Sequence, residues 1–117
     1  MVETIKYYFN VNPGKLYKIN NGYYFYVYDT KYYFVKFKKS INNLDFLVKV
    51  TNELYSKGIL VDTFIKNKDN SFYVNINENM YILLRVNSIE NDIYSLNDIV
   101  YFNNLLILSD NYSVHTN

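Results

Sequence analysis

The sequence predicts an α+β domain: an antiparallel sheet of five or six strands, one helix inserted after the third strand, and a second helix near the C-terminus. Three observations predict it. Between Leu16 and Val86, runs of Tyr, Phe, Val and Ile are broken by Asn20-Asn21-Gly22, Asp29-Thr30-Lys31, Lys68-Asp69-Asn70 and Asn77-Glu78-Asn79. These are residue types that turn a chain. Between the third and fourth runs the apolar period changes from 2 to 3.6 and back again. The 117 residues are enough to bury a core without staples, so we expect a single domain over 1–117.

Taken in order, Val2 to Asn12 reads as weakly helical or extended, closed by the turn Pro13-Gly14. Lys15 to Ile19 is a short strand. Tyr23 to Tyr28 and Tyr32 to Lys38 are rich in aromatic and β-branched residues, and Asp29-Thr30-Lys31 makes the hairpin between them. Ser40 stands where an N-cap belongs. After it, Leu44, Leu47, Val48, Thr51, Leu54 and Tyr55 share one helix face, and Lys57-Gly58 supplies the stop. Phe46 and Val50 fall away from that stripe, which is read either as a wide apolar face or as a contact on the helix's other side.

Leu60 to Lys66, Ser71 to Ile76 and Met80 to Val86 then return to the strand period. The run Tyr81-Ile82-Leu83-Leu84 reads as a central strand buried on both faces. Asn87 to Tyr94 is loop-like. A second helix is expected over Asn97 to Leu108, with Ser95 as its cap and Ile99, Phe102, Leu105 and Leu106 as its stripe, and the segment 95–117 ends in a polar tail.

Composition excludes several classes. Lys and Arg total 12 against 11 acidic residues, and Arg85 is the only arginine. A nucleic-acid binder needs a basic stripe with arginine forks, so no nucleic-acid partner is expected. The absence of cysteine removes disulfides, thiol nucleophiles and Cys-based zinc sites, and it suits a cytoplasmic protein. No apolar run approaches the ~20 residues that span a bilayer, so no membrane partner is expected. Tyr is present 15 times and Phe 8 times, while Ala and Gln are absent. A strongly AT-biased gene writes such a composition, which accounts for much of the Tyr and Asn excess.

The order of elements, with Tyr33-Phe34-Val35-Lys36 ending the third strand, resembles the N-terminal lobe of the protein-kinase-like fold. It is most similar to the aminoglycoside-phosphotransferase and spore-coat-kinase branch, over about residues 15–87. There the helix is followed by a segment like Lys57-Gly58-Ile59-Leu60-Val61, and a hairpin leads into a strand like Met80-Tyr81-Ile82-Leu83-Leu84. The resemblance implies one cofactor-binding residue: Lys36 matches the third-strand lysine that holds the α- and β-phosphates of ATP. The plain alternative is that Lys36, Lys38 and Lys39 form a solvated strand end.

Three departures lead us to expect no ATP. Phe34 stands where the family keeps a small residue beneath adenine. The first loop, Asn20-Asn21-Gly22, lacks the glycines that let backbone amides cradle phosphate. Glu53, the nearest candidate to pair with the lysine, points about 160° from the apolar stripe. The family keeps its catalytic aspartate and metal ligands in a second lobe, and no matching segment occurs here. His115, the sole histidine, reads as a solvated tail residue, and Glu90-Asn91-Asp92 and Asp110-Asn111 as loops.

No catalytic residue and no metal ligand is therefore expected. The chain reads as a non-catalytic kinase-like N-terminal lobe, either the front of a longer phosphotransferase-like protein or a degenerate stand-alone copy. Its partner would be a protein, the missing C-terminal lobe or a second copy. The other reading is a small adaptor or chaperone-like module that presents a Tyr-rich sheet or dimerises through Tyr23, Tyr24 and Tyr26.

Overall fold

Short Asn-bearing loops fix the register of the sheet, and the register decides which side chains share a face. A computed structural model of the chain describes residues 1–87. The expected helix at 97–108, His115 and the two acidic loops lie outside the described residues. Those that are described form α1 (Val2–Phe9), β1 (Tyr17–Ile19), β2 (Gly22–Val27), β3 (Thr30–Lys36), α2 (Ile41–Ser56), β4 (Thr63–Phe64), β5 (Val74–Ile76) and β6 (Asn79–Arg85). The architecture is α+β, with a six-stranded antiparallel sheet and a helix between the third and fourth strands, as the sequence predicts.

The strands run in the order β1-β2-β3-β6-β4, and β5 also pairs with β6. β6 is therefore the centre, with β3 on one side and β4 and β5 sharing the other. Tyr81 and Leu83 are buried on one of its faces and Ile82 and Leu84 on the other, as its uninterrupted apolar run requires. Both rims are short: β1 has 3 residues, β4 has 2 and β5 has 3.

The chain forms two compact units. The sheet unit comprises Met1–Lys38 and Val61–Asn87, and the described part of the other is Lys39–Leu60. In the sheet unit, α1 places Ile5 and Phe9, one turn apart, against Phe25, Phe34, Val74, Tyr81 and Leu83. The sequence left Val2–Asn12 between helix and extended chain; packing of these two residues makes it a helix. Asn10 ends it in the left-handed conformation and donates its N–H to the Lys6 carbonyl. The orphaned Tyr8 carbonyl accepts from the Lys68 N–H at 2.8 Å.

In the other unit, the Ser40 hydroxyl accepts from the Asn43 N–H at 3.2 Å, the expected cap. Leu44, Leu47, Val48 and Thr51 are buried and Leu54 half-buried, but Tyr55, placed on the same stripe by its spacing, is 48% exposed. It lies in the last turn, where the chain leaves the helix. There Gly58, at φ +84°, and Ile59 donate to the carbonyls of Tyr55 and Leu54.

Several boundaries move: β1 starts at Tyr17 rather than Lys15, β2 ends at Val27 rather than Tyr28, and β3 runs Thr30–Lys36 rather than Tyr32–Lys38. The hairpin loop after β2 is Tyr28-Asp29, not Asp29-Thr30-Lys31, because Val27 pairs directly with Thr30. The strands expected over Leu60–Lys66 and Ser71–Ile76 shrink to β4 and β5. Asn67 explains the loss between them. Its side-chain oxygen accepts from the N–H groups of Asp69 and Ser71, and its amide donates to the Tyr73 carbonyl, so the segment coils on itself rather than pairing.

Candidate functional site

Strand alternation sorts the side chains of β1 to β3 onto two surfaces with different chemistry. On one, Tyr23, Phe25, Tyr32, Phe34 and Lys36 share the face covered by α1. Lys36 stands opposite Tyr81 of β6 and is half-buried. The Phe34 ring lies parallel to that of Tyr81, with centroids 5.0 Å apart, and meets the edge of Phe9 at 6.0 Å. Phe34 is fully buried. The volume beside Lys36 on this face is occupied by rings of the chain itself, and burial, with the Tyr23 phenol adding to it, raises the Tyr81 pKa.

The loop before β2 lies over the end of β3. The Asn21 carbonyl accepts from the Lys36 N–H at 2.7 Å. Gly22 is obligatory there for contact reasons: a Cβ would collide with the Phe34 carbonyl and lie 2.7 Å from the Val35 Cα. This glycine serves strand approach; it does not open a cradle of amides. Glu53 is exposed, as its place on the wheel predicts, and its carboxylate pairs with Lys57 at 3.2 Å.

The other surface carries Lys15, Tyr17, Tyr24, Tyr26, Lys31 and Tyr33. The Tyr17 and Tyr24 rings stack at 4.9 Å, nearly parallel at 10°. The Lys15 ammonium lies 5.0 Å from the Tyr17 centroid, and that of Lys31 lies 4.8 Å from Tyr24 and 5.0 Å from Tyr33. Lysine ammonium groups thus lie over the rings of Tyr17, Tyr24 and Tyr33 on this surface. Tyr23 is on the opposite side of the sheet, so Tyr23, Tyr24 and Tyr26 cannot share one flat interface. The sequence named all three together because composition was read without register.

A third feature had no signal in the sequence. Beside the Asn67 coil is a cavity of about 300 Å³ lined by Tyr8, Asp69, Ser71, Tyr73, Val74 and Asn75. Lys68 ties this loop to α1, its ammonium 3.3 Å from the Tyr7 ring centroid in addition to its backbone bond. Both functional ends of the Asn67 side chain are engaged, so the rim is built in advance. In a chain this rich in Asn, one that knots a loop looks like any other.

Among the described residues no group of three or more His, Cys, Asp or Glu could hold a metal ion. No described helix is long and apolar enough to cross a membrane. No protein-family model, no curated protein and no solved structure matches the chain.

Proposed function

We propose that this chain is a non-catalytic, kinase-like N-terminal lobe that acts through protein contacts. It serves either as the front of a longer phosphotransferase-like protein or as a degenerate copy standing alone. The observation that carries the reading is the topology: a β1-β2-β3 meander, then α2, then a return that lays β6 beside β3. Lys36 at the end of β3 is the phosphate-holding position of that layout.

The packing beside Lys36 supports the non-catalytic part. Phe34, Tyr81 and Phe9 fill the space that adenine would need, and α1 covers the face. Lys36 then acts as a strand-end cation rather than as a phosphate ligand. The lack of cysteine fits a cytoplasmic setting.

Titration with Mg-ATP, followed by calorimetry on the wild type and Lys36→Ala, tests this reading. We expect no saturable binding by either protein. Saturable binding that Lys36→Ala abolishes would overturn the filled-pocket argument. A reading frame continuing into a His-x-Asp segment and a later metal-binding Asp would favour the front-lobe form.

The second reading, a small adaptor that presents a tyrosine face, is supported by the Lys15, Tyr17, Tyr24, Lys31 and Tyr33 array. A partner footprint confined to Tyr17, Tyr24 and Tyr26, mapped by amide-shift perturbation, would favour it.

A further inference from the structure

We propose that Tyr28 is an intermolecular anchor and that its receptor is the cavity beside Asn67 on a second copy of this chain. The proposal stands on backbone geometry and exposure, and it is independent of the kinase-like reading. Tyr28 occupies the two-residue loop between β2 and β3 with φ +54°, in the left-handed region that a bulky aromatic rarely adopts. It is 97% exposed, and its side chain makes no hydrogen bond or ring contact among the described residues. The fold therefore gains nothing from the ring that offsets the backbone strain.

Of the five other described non-glycine residues at positive φ, four are asparagines, Asn10, Asn21, Asn70 and Asn77, and the fifth is Glu78, all at φ +50° to +68°. A short amide is tolerated there at low cost, and no other described aromatic takes such a position. The AT bias that favours Tyr favours Asn equally, so composition does not account for the choice. Strain at an exposed aromatic with no internal contact is the mark of a residue kept for another surface.

The cavity matches the knob. At about 300 Å³ it lies at the small end of ligand sites and has room for one phenol. Tyr8 and Tyr73 offer apolar contact to a ring, while Asp69 and Asn75 offer acceptors for its hydroxyl. Knob and hole occupy different places on one molecule, so each contact joins unlike surfaces of the two copies.

Sedimentation equilibrium up to about 1 mM protein, the range in which a single-anchor contact is measurable, tests the proposal. Tyr28→Asn should weaken self-association at least ~10-fold while leaving the thermal midpoint equal or higher. Asn75→Arg, at an exposed position on the cavity mouth, should do the same by obstructing the hole. A mixture of the two variants retains one intact knob and one intact hole, so it should form a one-to-one complex. The proposal is overturned by a wild type that stays monomeric throughout, or by either variant associating like wild type. It is equally overturned if the mixture does not pair, or if Tyr28→Asn lowers the midpoint.

Discussion

The two faces of the β1–β3 meander are built from alternate residues of the same strands, yet they solve different problems. Beneath α1 the phenylalanines are sealed: Phe25 stacks on Tyr32 at 5.3 Å and Phe34 on Tyr81 at 5.0 Å, with Ile5 and Phe9 closing the layer. On the far face the strands carry tyrosines, and lysine stems and ammonium groups cover ring after ring. The difference teaches where stability resides. Dry burial of an aromatic ring contributes several times what a half-wet ring and cation contact does. On the far face Tyr33 is buried as well, but Tyr17, Tyr24 and Tyr26 are not, and these three can change with little loss.

The largest expected effect breaks the approach of the strands themselves. Gly22→Ala drives a methyl into the Phe34 carbonyl and should destabilise by about 3 kcal/mol or more, read as a lower urea midpoint. Next comes the sealed face: Phe9→Ala should cost about 3 kcal/mol through the space it leaves against Phe34. Tyr24→Leu on the far face keeps an apolar body but loses the stack and the Lys31 contact. It should cost only about 1 kcal/mol, and a loss equal to that of Phe9→Ala would erase the contrast drawn here.

The smallest effect is one of pH. The Tyr81 phenol has its folded pKa raised, so folding favours the protonated form. That contribution is complete below the unfolded phenol value of about 10 and is lost as pH rises through the folded value. Urea midpoints should hold steady from about pH 8 and fall above about pH 10, with a shallower fall in Tyr81→Phe.

Much of the fold was legible because local chemistry and tertiary context agree. The turn residues Asn20-Asn21 and Asn77-Glu78 lie where the strands reverse, the Ser40 cap starts α2, and the run Tyr81–Leu84 is the central strand. What was hidden depended on contacts distant in sequence. Nothing in Val2–Phe9 states that Ile5 and Phe9 will close over Phe34. The coil around Asn67 turns strand-like sequence into loop, and a one-residue shift of the β2–β3 loop exposes Tyr28 at its tip. Beside Lys36 the sequence singled out Phe34, while Phe9 and Tyr81, whose rings pack against it, are contributed by elements far along the chain.

The brevity of the outer strands has a consequence for how such molecules can meet. A chain dense in Tyr, Ile and Val would ordinarily risk main-chain recruitment, one molecule's border extending the next into a fibre. Here the described borders are only two or three residues long, and one of them carries Lys18. That leaves too few consecutive amide groups to template an added strand. Any pairing of copies along these borders would have to rest on side chains, where a single substitution can tune it.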